Sequence, residues 1–353
     1  MKPCFASEQA AEKRQRTGAG QDAGAHTGIH SSRSVLDCAS PLALSARRAR
    51  KGIVVSGCTI AGMTLAFLLV GLAATAQSST QKPGETKSPW TRIVMVGASA
   101  TAGFTAPEAF GGTDTPYLRM SRYLDAALLA PHEPIQNLAH ALFFMQPEAG
   151  GRQQISDAVE AKPTLVIGVD FLFWFCYGEM RSDAERLRRF EKGLKLLEEI
   201  SCPLVLGDIP DASAGVETGV LSASQVPSAS VLAAANKRLK EWAASRPQVV
   251  IVPLATFMRA ALADEPIALR GYVFTRGKTR ALLQDDKLHP TREGAAVLAL
   301  AALDAFQSAR PDLSTNGVRW NPQDVFRLGS RAQAVTPRNA SKQEASSALP
   351  AGK

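Results

Sequence analysis

Residues 93–103 read Ile93-Val94-Met95-Val96-Gly97-Ala98-Ser99-Ala100-Thr101-Ala102-Gly103, and this run decides the fold. Four apolar residues, three of them β-branched, pass directly into a turn of small and hydroxylic residues. A short apolar run closed by Gly is the pattern of a strand covered on both faces, as parallel strands are. Small residues after it allow a sharp turn at the carboxyl end of the strand, where open α/β sheets bind their ligands. Ser99 is the side chain placed at that turn.

Downstream, Thr164–Val169, Pro203–Gly207 and Gln248–Val252 repeat the buried-strand pattern, and Pro134–Leu138 is a shorter strand. Between them the spacing predicts helices over Pro116–Ala130, Gly151–Ala161, Asp183–Ile200, Val231–Ser245, Ala255–Ala263 and Thr291–Phe306. The clearest is Asp183–Ile200, where Leu187, Phe190, Leu194, Leu197 and Ile200 share one face. Thr291 is the expected N-cap of the last helix, with Glu293 in the first turn. Ala212–Ser230 reads as a long loop over the catalytic edge, and Ile267–Leu283 as irregular. Alternating strand and helix, five strands deep, implies one α/β domain over residues 90–310: a parallel sheet with right-handed crossovers and helices on both faces.

The ends differ in kind. Residues 1–51 hold nine Lys/Arg against four Asp/Glu, and 311–353 hold six against three. The net charge of +8 therefore sits entirely in the ends, and 52–310 is neutral. A folded part without basic excess offers nothing to phosphates, so nucleic acid is not an expected partner. Residues 1–51 read as a disordered basic extension, 77–89 as a polar linker, and 311–353 as a polar C-terminal tail without periodicity. Arg47-Arg48-Ala49-Arg50-Lys51 precedes an apolar run from Gly52 to Ala74, and Ala74-Thr75-Ala76 has the small-x-small form of a cleavage site. Residues 52–76 are thus expected to be a signal peptide or an uncleaved membrane anchor, which makes the protein exported, periplasmic or extracellular. Of the five Cys, only Cys176 and Cys202 fall in the folded region, near opposite ends of neighbouring strands, and are expected to be free thiols. No Cys-x-x-Cys or His cluster suggests a metal.

The folded region holds three His: His132, His140 and His289. His289 lies in Asp285-Asp286-Lys287-Leu288-His289-Pro290-Thr291. An Asp three residues before a His, on a turn pinned by Pro, can bring its carboxylate to Nδ1 and leave Nε2 to accept a proton from a hydroxyl. A serine hydroxyl is a weak nucleophile until such a base adjoins it. The alternative is that Asp286 caps a turn and His289 is an ordinary surface residue.

Gly97-Ala98-Ser99-Ala100-Thr101-Ala102-Gly103 resembles the nucleophile block Gly-Asp-Ser-x-Thr-x-Gly of the SGNH (GDSL-type) hydrolases. Asp286-Lys287-Leu288-His289-Pro290-Thr291, with Gly294 after it, resembles that family's last block, Asp-x-x-His-Pro-Thr/Asn-x-x-Gly. Leu204–Asp211 is similar to its fourth-strand segment, and the resemblance covers roughly 92–306. It implies a flavodoxin-like three-layer α/β/α sandwich with a five-stranded parallel sheet. It also implies acyl chemistry with Ser99 as nucleophile, His289 as base and Asp286 orienting it, and neither cofactor nor metal. The substrate would be a small-molecule ester or an acylated glycan or lipid. The Gly-x-Ser-x-Gly elbow of the α/β-hydrolases is missing.

Two blocks depart from the family pattern. Asn137-Leu138-Ala139-His140-Ala141-Leu142 stands for Asn-x-Gly-x-x-Gly, leaving the Ala139 N–H as the expected oxyanion donor. Gly168-Val169-Asp170-Phe171 stands for Gly-x-Asn-Asp, so that Asp170 occupies the place of a donating Asn. An ionised carboxylate cannot donate there, and only a protonated one could; a lost oxyanion donor costs about 100- to 1000-fold in rate. Phe171-Leu172-Phe173-Trp174-Phe175 is either core or the wall of a substrate pocket that includes Trp174. His140 either contacts substrate, offsets the charge of Asp170, or is structural. The functions left open are an exported serine esterase, an O-acyltransferase on the same fold, a weakened SGNH-like binding domain, and a phosphate-binding flavodoxin-like module that uses 97–103 as an anion loop.

Overall fold

The computed structural model describes residues 88–331. The expected basic extension, the apolar segment 52–76, the linker up to residue 87 and residues 332–353 lie outside the described residues. No helix among the described residues is long and apolar enough to cross a membrane.

In chain order the elements are β1 (Ile93–Met95), α1 (Ser99–Ala102), α2 (Thr115–Leu118), α3 (Met120–Ala127), β2 (Gln136–Asn137), α4 (Pro147–Glu160), β3 (Leu165–Gly168), α5 (Phe173–Cys176) and α6 (Asp183–Leu197). Then follow β4 (Leu204–Gly207), α7 (Ala214–Glu217), α8 (Ala229–Ala244), β5 (Val249–Val252), α9 (Leu254–Leu262), β6 (Ile267–Leu269), β7 (Tyr272–Phe274), α10 (Arg292–Ala309) and α11 (Pro322–Gly329). Five strands form a sheet in the order β2-β1-β3-β4-β5, and every neighbouring pair is parallel. This is the doubly wound flavodoxin-like order.

Alternation along the strands builds two cores. Ile93, Met95, Leu165, Ile167 and Val205 face a layer of α3, α10 and α11, while Val94, Val96, Val166, Leu204 and Leu206 face α4, α6 and α8. The result is an α/β/α sandwich. Parallel strands buried on both faces read as unbroken apolar runs because neither face meets water.

Four segments differ from the sequence expectation. The helix expected over Pro116–Ala130 breaks at Arg119, whose backbone is extended (φ −60°, ψ 123°), into α2 and α3. Gly103 packs into the break: a Cβ there would lie 2.6 Å from Arg119 N and 2.7 Å from Thr115 O. The loop 212–230 contains α7, and Ser228 caps α8, accepting from Val231 N. Residues 267–274 form an antiparallel hairpin, with Arg270 (φ 47°) and Gly271 (φ 83°) at its turn. Two consecutive left-handed residues are what a tight hairpin turn requires.

The fourth difference is the largest. The domain does not end at Arg310 but runs on through α11, where Asn321 accepts from Gln323 N and Asp324 N and Pro322 fills the first turn. Val325 is fully buried, and Gly329 lies so close to Tyr123 that a Cβ would stand 2.4 Å from its ring. Val325→Ala is expected to destabilise the domain by about 2 kcal/mol through lost burial and the cavity left behind. Thermal unfolding should show a midpoint lower by about 4–8 °C.

Cys176 and Cys202 are free thiols. Burial pushes them up to about 12 and about 11 respectively, so neither is a ready nucleophile at neutral pH.

Candidate active site

The turn after β1 is held from three sides. Val96 N donates to Ile167 O of the neighbouring strand at 3.0 Å. The buried Gln154 of α4 grips Gly97 twice, its Oε1 accepting from Gly97 N (2.7 Å) and its Nε2 donating to Gly97 O (2.9 Å). Gly97 itself has φ 151°, and a Cβ there would stand 2.2 Å from Asp170 Oδ1. Only Gly fits.

Asp170, just after β3, supplies the third hold. Its Oδ1 accepts from Ala98 N (3.0 Å) and Thr101 Oγ1 (2.6 Å), and its Oδ2 from Ala100 N (2.9 Å) and Thr101 N (3.1 Å). A carboxylate ringed by four donors at the start of a helix turn is well matched to them. Ala102 N and Gly103 N donate to Ala98 O and Ser99 O. Every N–H from Gly97 to Gly103 therefore has an acceptor among the described residues except that of Ser99. This donor stands open beside the Ser99 hydroxyl.

On the other side of the site, β-bridge pairing of Leu283 with Pro290 closes a tight loop over residues 284–289. Within it Lys287 adopts a left-handed φ of 59°. Asp286 Oδ1 accepts from Leu288 N (3.0 Å) and His289 N (2.9 Å), and its Oδ2 accepts from His289 Nδ1 (2.7 Å). With that acceptor the imidazole carries its proton on Nδ1, and Nε2 receives the hydroxyl of Ser99 at 2.8 Å. Burial works to raise the Asp286 pKa, but the hydrogen bond and charge of His289, with the two backbone N–H groups, hold it below the ordinary carboxylate value. Asp286 thus stays ionised through neutral pH.

Phe104 packs against the imidazole, ring centres 4.3 Å apart. Thr291 caps α10 through Gly294 N, and a Cβ at Gly294 would stand 1.9 Å from Leu282 O. The close seat of α10 against that turn positions the His289 loop. Ser99 and His289 are both buried, at 9% and 4% exposure, so their contact is sheltered from bulk water.

The other residues singled out from sequence fall differently. Asp170 is not aimed as an oxyanion donor: all four of its hydrogen bonds are accepted, and it binds the turn that carries Ser99 instead. Ala139 N donates to Asn137 Oδ1 (3.0 Å), so it is already engaged, and Asn137 also ties Thr101 O and Ser121. His140 is exposed, and its Nδ1 accepts from Leu142 N; it makes no hydrogen bond to Asp170. Trp174 does line the cavity beside Ser99, packed against Phe173 and Phe144, while Phe171 and Phe175 turn into the core. The buried Trp174 Nε1 has no acceptor among the described residues. Gln154 and the α9–α10 wall of the cavity carry no local signal in the sequence, because they reach the site only through the fold.

No protein-family model matches the sequence, and no match is found among curated proteins. Among solved structures, the lipase/acylhydrolase from Enterococcus faecalis is similar over 65% of this chain and 98% of its own, at 18% identity and a TM-score of 0.43. Axe2, an acetylxylan esterase from Geobacillus stearothermophilus, is similar over 62% of this chain and 93% of its own, at 17% identity and a TM-score of 0.40.

Proposed function

We propose that this chain is a serine ester hydrolase of SGNH type, with Ser99 as nucleophile, His289 as general base and acid, and Asp286 as its orienter. The observation that carries this is the continuous relay: Ser99 Oγ 2.8 Å from His289 Nε2, and His289 Nδ1 2.7 Å from Asp286 Oδ2. The two sequence blocks that resemble the family meet at that relay.

In the first half-reaction Ser99 Oγ bonds to the ester carbonyl carbon as its proton passes to His289 Nε2. The carbonyl oxygen takes the electron pair and faces the open Ser99 N–H. Collapse of this intermediate breaks the bond to the alcohol oxygen, which leaves with the proton from His289. In the second half water gives a proton to His289 and its oxygen bonds to the acyl carbon. Ser99 then departs and recovers the proton, releasing a carboxylic acid. Asp286 keeps the Nδ1 proton throughout and stabilises the imidazolium.

A fluorophosphonate probe tests this directly. Incubation with the full chain is expected to form one Ser99 Oγ–P bond with loss of fluoride, adding the probe mass less HF, mapped to Ser99 by peptide mass spectrometry, and to add nothing to Ser99→Ala. Labelling elsewhere, or none, sinks the proposal. Residues 52–76 are proposed as the export signal or anchor that would deliver this activity outside the cytoplasm.

A further inference from the structure

Beside Ser99 and His289 a cavity of about 100 Å³ runs along the seam between α9 and α10. Along α10 its wall steps from Gly294 through Val297 to Ala301, one face over two turns. Along α9 it steps through Phe257 and Ala261, and Ile267 of β6 contributes from the hairpin. Val297, Ala301, Ala261 and Ile267 are all buried, so this part of the cavity wall meets little bulk water. Among the described residues, every lining side chain beyond Ser99, His289, Asp170 and the Trp174 indole is apolar. The Asp170 carboxylate is already ringed by four donors.

We infer that this cavity is the acyl-chain site of the enzyme and takes a straight, uncharged chain of about four carbons. This rests on the esterase reading. A dry apolar cavity of about 150 Å³ holds the six carbons of benzene, and two-thirds of that space fits about four. Among the described residues no cation lines the cavity to pair with a carboxylate on the chain, and few polar groups there could receive hydroxyls, so charged and sugar-like acyl groups are disfavoured. The cavity holds the acyl group rather than the alcohol because of the order of events. The alcohol must leave, and water must enter beside His289, while the acyl group stays bonded to Ser99. A sheltered seam suits the group that stays. Ala261 and Ala301 leave the seam open by their small size.

The test compares kcat/KM for p-nitrophenyl acetate, butyrate, octanoate and hemisuccinate, and separately for acetates of alcohols of rising length. Each methylene from acetyl to butyryl is expected to raise kcat/KM about fourfold, roughly 15-fold in total, with octanoate and hemisuccinate falling back. Ala261→Phe should bring the butyrate-to-acetate ratio near one. Ala301→Leu gives a second, milder filling, and thermal unfolding checks that each variant is folded. A flat acyl profile, a profile that follows the alcohol instead, or an unchanged ratio in both folded variants overturns the inference.

Calorimetric titration of Ser99→Ala separates this from the esterase reading itself. Its affinity for p-nitrophenyl butyrate should exceed that for acetate by a similar factor without turnover. Equal affinities overturn the chain site even if the wild type hydrolyses esters. Preferential binding in a protein with no hydrolysis would keep the chain site and sink the esterase.

Discussion

Ser99→Ala and His289→Ala are each expected to lower kcat for p-nitrophenyl butyrate by about a million-fold, and the double variant no further. The reason is geometric. Among the described residues, Ser99 Oγ has one base within reach, His289 Nε2 at 2.8 Å, and that base contacts no other hydroxyl. Without the imidazole the hydroxyl keeps its proton and stays a poor nucleophile; without the hydroxyl the imidazole has nothing to activate. Either loss removes the same pathway, so the effects do not add. Asp286→Asn should cost less, about 10,000-fold, since it spoils the tautomer and orientation of His289 while leaving both reacting groups in place. The residual rate in all these variants comes from substrate held beside the Ser99 N–H. Steady-state kinetics on folded proteins checks this, and two single losses that multiply in the double variant would contradict a common relay.

The contrast between Asp286 and Asp170 shows what could be read from sequence and what could not. Asp286 and His289 are three residues apart, so their pairing follows from local chain geometry, and a single turn brings carboxylate to imidazole. The strands were legible for a similar reason: burial on both faces leaves continuous apolar runs such as 93–96 and 165–168. Asp170 lies 71 residues from Ser99 in sequence, and only the pairing of β1 with β3 shows that its carboxylate points at backbone N–H groups rather than at a substrate oxygen. Its residue type was visible, but its partners were not. The same holds for α11, whose one fully buried apolar side chain, Val325, is too little for a helical period to emerge. The hairpin at 267–274 hid behind Arg270-Gly271, which lacks the Asn-Gly signature of such turns. The cavity wall is harder still, because α9, β6 and α10 meet only in the folded chain.

Asp170→Asn provides the sharpest test of that difference, because the motif and the geometry demand opposite results. Were Asp170 a flawed oxyanion residue, Asn would supply the absent donor and raise the rate. The structure gives its two oxygens to Ala98 N, Thr101 Oγ1, Ala100 N and Thr101 N at 2.6–3.1 Å. Asn keeps one acceptor oxygen and turns an NH2 group toward donors that cannot accept from it. If the NH2 takes the Oδ2 place, Ala100 N and Thr101 N lose their partner; if it takes the Oδ1 place, Ala98 N loses its partner and only the Thr101 hydroxyl can rotate to adapt. Buried donors left unpaired cost about 1–3 kcal/mol each, so the variant should be less stable by about 3 kcal/mol. The loss falls on the turn that aims Ser99, and a displacement of about 1 Å there is enough to cost about 100-fold in kcat. The expected result is therefore a lower melting midpoint and a kcat lower by about 100-fold, with KM for p-nitrophenyl butyrate little changed because the α9–α10 seam is untouched. Asp170→Ala, which removes both acceptors and the facing NH2, should be at least as damaging to the turn. A rate gain in Asp170→Asn at unchanged stability would return Asp170 to the oxyanion hole and contradict the clamp.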